Sequence, residues 1–377
     1  MQDHRAPVRR PLHLLLIMAI VATVGLSPGA AGAETVNGLH TGPIDDMANG
    51  AFHRPVMHTV SLQGGFVNMD MPEVDFGTSV VDGDTLPLSM SEDELDGFTV
   101  GIQAKFDVLD DWVGHRDREQ DLIGEYIRHA IYATFNHTHV DGDRSAELAP
   151  GAGDYCIVYE MPAPNNSLGI NLGNGGALSE FDTEYDIYEA GVGTWCDRPL
   201  LGRDDTVLSL NVGLGASAEK LDHDGWTRSL QFNDALMRAR YKIDSYRVGP
   251  EVGATVTHRV ADTGLSVFLN SRVMPHYFHH KLDYTQWTEV GGAPAEEQML
   301  RFDRSDSEDG IGLNASLEVG AAWALTDNLS VSLAGVLGWT SHAAQPDTRI
   351  DETDDPTHVD TDDSTSVAGI VGIRLNY

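Results

Sequence analysis

From Leu208 to Ala218 the chain alternates without a break. Leu208, Leu210, Val212, Leu214, Ala216 and Ala218 are apolar, and Ser209, Asn211, Gly213, Gly215 and Ser217 between them are small or polar. A period of two marks a strand with one apolar face. The same pattern recurs over Val56–Phe66, Phe98–Phe106, Ile127–Phe135, Ile187–Thr194, Leu265–Tyr277, Ile311–Trp323 and Leu329–Trp339. It recurs once more at the end, where Val367, Gly369, Val371, Ile373, Leu375 and Tyr377 share one parity. Between Met237 and Val256 the apolar parity flips near Asp244-Ser245. A β-bulge there would keep one long strand; a tight hairpin would make two. The first choice gives ten strands. The second, with the short run Tyr155–Tyr159, gives twelve.

The connections alternate in length. Residues 68–95, 140–182, 220–233, 280–308 and 342–363 are long and polar; 197–205, 261–264 and 326–328 are short, and 107–121 is the exception, with a helical turn expected around Trp112. Transmembrane barrels have long outer loops, short periplasmic turns and strands of about 9–11 residues with apolar residues outward. A soluble sandwich also alternates along its strands but has no reason to alternate its loop lengths. The expected fold is all-β: a single antiparallel transmembrane β-barrel over 55–377. The side chains of Val212, Leu214, Val252, Leu317, Val319 and Val371 should face lipid.

The N-terminus gives the address. Arg5, Arg9 and Arg10 precede an apolar run from Leu14 to Leu26, and Ala31-Gly32-Ala33 follows. A positive start, a short apolar core and an Ala-x-Ala site predict a signal peptide over 1–33, followed by a flexible periplasmic leader at 34–54. The bacterial outer membrane is the expected location. Outer-membrane lipid and the barrel assembly machinery are the expected partners, and Tyr377 is the candidate assembly signal. The formal charge of −34 becomes −36 once a signal peptide carrying +2 is removed. That excludes a basic footprint for nucleic acid. Cys156 falls in an outer loop and Cys196 at the inner end of a strand, so this topology predicts no bond between them.

Two stretches, Tyr185-Asp186-Ile187-Tyr188-Glu189-Ala190-Gly191-Val192-Gly193 and Arg247-Val248-Gly249-Pro250-Glu251-Val252-Gly253, carry a resemblance. There the chain resembles the Legionella-type pore-forming major outer-membrane protein family, loosely over 55–377. The resemblance implies a pore-forming β-barrel and no catalytic residues. Glu251 stands where the family pattern leads one to expect a basic residue after the Gly-Pro step.

The lumen-facing parity collects Lys105, Arg128, Glu189, Arg247, Glu251, Arg272, Glu318 and Arg374. They would form either a selective constriction or ion pairs filling a narrow barrel. His276 and His280 share a strand face that His279 opposes, which argues against a metal site, and no cofactor is expected. The acidic stretch Asp351, Glu352, Asp354, Asp355, Asp360, Asp362 and Asp363 has the oxygens calcium prefers but no EF-hand spacing; divalent cations would gather there weakly. The functional expectation is a passive, porin-like pore for small polar solutes or ions. Crowded carboxylates at its mouth would give a mild cation preference. The alternatives are a plugged structural or adhesin barrel binding through its outer loops and, behind it, an omptin-like surface protease, for which Asp222-His223-Asp224 is the sort of neighbouring pair required.

Overall fold

A computed structural model describes fourteen strands together with residues 263–264 and 328. The strands are β1 (His58–Asp70), β2 (Val74–Val81), β3 (Asp84–Met90), β4 (Glu94–Asp107), β5 (Arg128–Leu148), β6 (Tyr155–Glu160) and β7 (Ser167–Gly173). They continue with β8 (Ala177–Leu200), β9 (Arg203–Ser229), β10 (Ala235–Val260), β11 (Leu265–Val290), β12 (Arg301–Thr326), β13 (Leu329–Asp347) and β14 (His358–Asn376). Ten close a ring in the order β1-β4-β5-β8-β9-β10-β11-β12-β13-β14, with β14 returning to β1, all antiparallel. The other four form two hairpins, β2–β3 and β6–β7. β2 touches the end of β13 at Asp347↔Asp75. The expected signal peptide, the leader, Trp112 and Tyr377 lie outside the described residues.

β9 to β12 each run 26 or 27 residues, more than twice what a tilted membrane strand needs. The surplus explains itself on the outer face. Each of eight strands changes character at one point: Phe66/Asn68 on β1, Phe98/Asp96 on β4, Phe135/His137 on β5 and Tyr188/Asp186 on β8. The series continues with Ala218/Lys220 on β9, Tyr246/Asp244 on β10, Tyr277/His279 on β11 and Ile311/Asp309 on β12. On one side of this level the outward residues are apolar and exposed, including all six expected lipid-facing positions. On the other side they are mostly charged or polar. Six aromatic residues (Phe66, Phe98, Phe135, Tyr188, Tyr246 and Tyr277) mark the level, as an interfacial girdle does. From Leu265 to Tyr277 on β11, about a dozen steps of about 3.3 Å tilted by about 40° cover roughly 30 Å, one hydrocarbon thickness.

Beyond the girdle the barrel continues into water and its pattern inverts. Outside now wants charge, and inside wants an apolar core. This corrects the reading of 235–258 as a bulged strand or a hairpin: β10 pairs with β9 from Leu236 to His258 with no shift of register. Tyr241 and Ile243 point inward and Tyr246 and Val248 outward because the surroundings exchange, not because the backbone does. The same inversion corrects the long polar loops. Most of 140–182, 220–233, 280–308 and 342–363 is strand, and 68–95 contains the hairpin β2–β3. Their outward charges made them look like loops. The run Tyr155–Tyr159 is strand, but lies in a hairpin off the barrel.

The inner turn between β10 and β11 is tight. Thr263 Oγ1 donates to Val260 O at 2.9 Å, and Gly264 takes φ +66, a left-handed conformation open to glycine at no steric cost.

Candidate functional site

The lumen divides into levels. Above the girdle it holds an apolar cluster, beside inward polar residues that include Thr183, His223, Thr227 and Gln286 and Arg304, Asp306 and Glu308 of β12. Val67 and Met69 enter from β1, Leu95 from β4, Val140 from β5, Phe181 and Tyr185 from β8 and Leu221 from β9. Ala239, Tyr241 and Ile243 come from β10, Leu282 and Tyr284 from β11, Ala344 from β13 and Val359 from β14. Tyr241 and Tyr284, opposite each other in register, stack at 4.9 Å. Offset aromatic pairs of this kind add about 0.5–1.5 kcal/mol beyond burial.

Just below lies a buried polar knot. Arg247 and Glu219 form an ion pair whose side chains are both 3% exposed. Tyr185 Oη donates to Glu219 Oε2 at 2.6 Å, and Ser217 Oγ to Oε1 at 3.2 Å. A buried ion pair is tolerable only with its remaining hydrogen bonds made. Here a β-bulge helps. The register of β13 against β14 shifts between Thr340 and Ala343, and His342, inside the bulge, has φ 59. Its carbonyl accepts from Arg247 Nη2 at 3.5 Å and from His280 Nε2 at 3.1 Å. His280, fully buried, also bonds Ser245 Oγ through Nδ1 at 2.8 Å. Phe278 stacks between the rings of His280 and His342.

Within the membrane, Glu251 is the centre. Arg272 Nη2 lies 2.9 Å from its Oε2, while Tyr132 Oη and Asn211 Nδ2 donate to Oε1 at 3.3 and 3.4 Å. A Cβ on Gly215 would stand 2.5 Å from Met274 Sδ and 3.2 Å from Glu251 Oε2, so a side chain there would displace the thioether and crowd the carboxylate. Farther from the girdle Lys105 meets Asp197 at 3.2 Å and lies 4.4 Å over the ring of Trp195. Asn270 Nδ2 donates to Glu318 Oε2 at 3.0 Å, and Asn136 Nδ2 to Glu189 Oε2 at 3.5 Å. Arg374 Nε donates to Ser61 Oγ at 3.4 Å and is exposed, as is Gln63. Solvent therefore reaches the lumen at Arg374 and as far as Gln63, three residues below Phe66 and bonded to Asn136.

The structure thus places Lys105, Glu189, Arg247, Glu251, Arg272, Glu318 and Arg374 on the inner face, but in separate clusters rather than one ring. Arg128 stands opposite Asp197 in register; its side chain is outside the described residues. Sequence reasoning missed Glu219, Tyr185, Tyr132 and Asn211. Glu219 was legible in principle, since it continues the odd parity of Ser209 to Ser217, but the charged residues after it suggested a loop. Nothing in the sequence announces the bulge at His342. His276 and His280 do share the inner face, and His279 turns outward to Asp309 at 2.7 Å. Asp222 and Asp224 face outward while His223 is buried inward against Thr183, so that trio does not converge. Asp360, Asp362 and Asp363 belong to β14, and the rest of the acidic stretch is outside the described residues. Cys196 lies on the outer face of β8, and the Cys156 side chain is outside the described residues, as is any bond between the two.

The outer surface above the girdle is a cross-strand lattice of charge. One row reads His139, Asp186, Lys220, Asp244, Lys281 across β5, β8, β9, β10 and β11, and the next reads Glu184, Asp222, Lys242, Asp283. Asp186 bonds His139 Nδ1 at 2.9 Å and His137 Nε2 at 3.1 Å. Partial burial pushes its carboxyl up, but these two histidines outweigh that and hold it below the usual carboxylate value. Asp182 goes the other way. Burial, a hydrogen bond with the Asp143 carboxyl and repulsion from Asp143, Asp224 and Glu180 push it up to about 6.

No family model and no curated protein matches the chain. Among solved structures it is similar to the outer membrane protease OmpT from Escherichia coli, at 10% identity and TM-score 0.40, over 85% of this chain and 97% of that one. It is similar to Neisserial surface protein A at 9% identity and TM-score 0.24, over 85% and 96%. A third is the anion-selective porin from Comamonas acidovorans, at 8% identity and TM-score 0.21, over 86% and 99%. At such scores these likenesses bear on neither activity nor ligand.

Proposed function

We propose that this chain is a closed barrel of the bacterial outer membrane, a structural or adhesive scaffold that works through its extracellular surface. The observation that carries this reading is the apolar cluster above the girdle, drawn from nine of the ten barrel strands. A passive pore needs a continuous wet path, and water gains nothing from residues such as Leu95, Ile243 and Leu282, which offer it no hydrogen bond. Beneath the cluster, the buried Arg247–Glu219 pair and its partners tie β8, β9, β10, β11 and β13 together. The second reading, the passive pore, draws support from the exposed Arg374 and Gln63 in the lumen below the girdle. In the closed reading that region is a blind vestibule opening to the periplasm.

Planar-bilayer conductance of the refolded protein separates the two. The unmodified barrel should show no steady conductance. The triple variant Phe181→Ala, Tyr241→Ala, Leu282→Ala should show discrete steps, since it removes the bulk that fills the bore. Steady conductance of the unmodified barrel, with the mild cation preference of an acidic mouth, would restore the pore.

A further inference from the structure

The outer face immediately above the girdle is unevenly charged. Among the described side chains there, every lysine and arginine lies on three consecutive strands: Lys220 and Arg228 on β9, Arg238, Arg240 and Lys242 on β10, and Lys281 on β11. The outward carboxylates on the same stretch are Asp222, Asp224, Asp244 and Asp283, so bases outnumber acids. The flanks are acidic. β8 presents Glu180, Asp182, Glu184 and Asp186 with no base among them, and β12 presents Asp303 and Asp309. In a chain of net charge −34, the described residues thus place a basic stripe between two acidic walls.

The stripe is ordered by height. Lys220 and Lys281 occupy the first outward positions above the apolar band on β9 and two above it on β11, with Lys242 beside them. Next comes Arg240, paired with Asp224. Above it Arg238 stands between Trp226 and Trp287 in register, and the guanidinium of Arg228 lies 5.5 Å from the Trp226 ring. From Lys220 to Arg228 the stripe rises roughly 25 Å along the strand. Ammonium groups therefore sit at the level of lipid headgroups, and aromatic and guanidinium planes sit above them.

We propose that this stripe is a binding site for a phosphorylated glycolipid of the outer leaflet. Its phosphates would meet Lys220, Lys242 and Lys281, and its sugars would lie against Trp226, Trp287, Arg238 and Arg228. Lysine ammonium groups attract phosphate as point charges. Indole faces offer sugar rings an apolar platform, and arginine pairs with anionic groups through its planar fork. Asp222 and Asp283 hold the lysines at 2.5–3.6 Å and Asp244 stands opposite Lys220 and Lys281, which preorders the three ammonium groups; the excess of bases lies directly above them, in Arg228 and Arg238. The acidic walls of β8 and β12 repel the same headgroup and so confine it to β9–β11.

This site rests on the membrane reading of the barrel, and the test keeps the two apart. Refolded protein is first shown to insert into neutral phosphatidylcholine vesicles and to migrate as a heat-modifiable barrel. It is then transferred to neutral detergent and titrated with bisphosphorylated diacyl-glucosamine glycolipid, with bound copies counted by native mass spectrometry. One copy should be retained, and the phosphate-free glycolipid should not. Lys220→Gln, Lys242→Gln, Lys281→Gln together should weaken retention by about a hundredfold, as befits the loss of three cations at an anionic surface. Ser305→Gln, Ser307→Gln on β12 should change nothing. Trp226→Ala, Trp287→Ala should weaken only a glycolipid that carries further core sugars. Equal retention by the lysine variant, or of the phosphate-free lipid, would overturn the site. So would retention that a chelator abolishes and the lysine variant keeps, since the carboxylates would then be binding through cations. Failure of the parent to insert would instead overturn the membrane reading.

Discussion

Asp182 shows how much a single outward position depends on its cross-strand neighbours. It faces Asp143 on one side and Asp224 on the other, and its carboxyl sits near 6 against an ordinary value of about 4. A raised carboxyl binds its proton more tightly in the folded barrel than in the unfolded chain. It therefore costs stability above its folded pKa, and the cost fades as pH falls from about 6 towards 4. Asp182→Asn should raise the unfolding temperature at pH 8 and leave it almost unchanged at pH 4. Asp186 has the opposite sign: held low by His137 and His139, it contributes stability that is lost only as pH falls through its depressed value. Asp186→Asn should therefore cost stability at pH 6 and little at the acid limit. On the lipid side, Leu317→Arg should cost about 2–4 kcal/mol near the bilayer midplane, and Ser316→Arg, pointing into the lumen, much less. Urea titrations in bilayers would check both, and equal losses would contradict the facing of β12.

A single strand, β10, holds most of what was legible and most of what was not. Its membrane half could be read from sequence, because Val248, Val252, Ala254 and Val256 alternate with Arg247, Glu251 and Thr255 in the way lipid outside and polar lumen inside require. Its half above the girdle was misread because period-two reasoning assumes that one face stays apolar along a strand. Here the faces exchange when the strand leaves the membrane, and the sequence shows that as an apparent break at Asp244. The polar knot below the core was half legible. Arg247 carried the right parity, but its partners come from β8, β9, β11 and the bulge of β13, and no local pattern joins residues so far apart in the chain. The energetic consequence is asymmetric. Glu219→Ala strands the buried Arg247 charge and should cost about 3–5 kcal/mol. Adding Arg247→Leu should recover much of that loss, because it removes the orphaned charge. Unfolding of the single and double variants in urea would measure the difference; a double variant no better than Glu219→Ala would show that the knot holds the strands by more than charge.

At the scale of the whole molecule, a closed ring of ten strands must settle every neighbour relation at once. Inside–outside alternation supervises part of this: a slip of one residue turns each side chain to the wrong face. A slip of two escapes it, since all facings survive. The charge lattice above the girdle catches that error. In the native register Lys220 meets Asp244 and Asp222 meets Lys242. Moving β10 two places against β9 puts Lys220 opposite Lys242 in one direction and Asp222 opposite Asp244 in the other. The next interface behaves alike: Asp244 meets Lys281 and Lys242 meets Asp283, and a two-place slip sets Lys242 against Lys281 or Asp244 against Asp283. Like charges directly opposite one another are destabilising, so each wrong alignment carries its own penalty before the ring closes. Across β9, β10 and β11 the outer surface is in this sense an error-detecting code, written where inside–outside alternation has no preference between alignments.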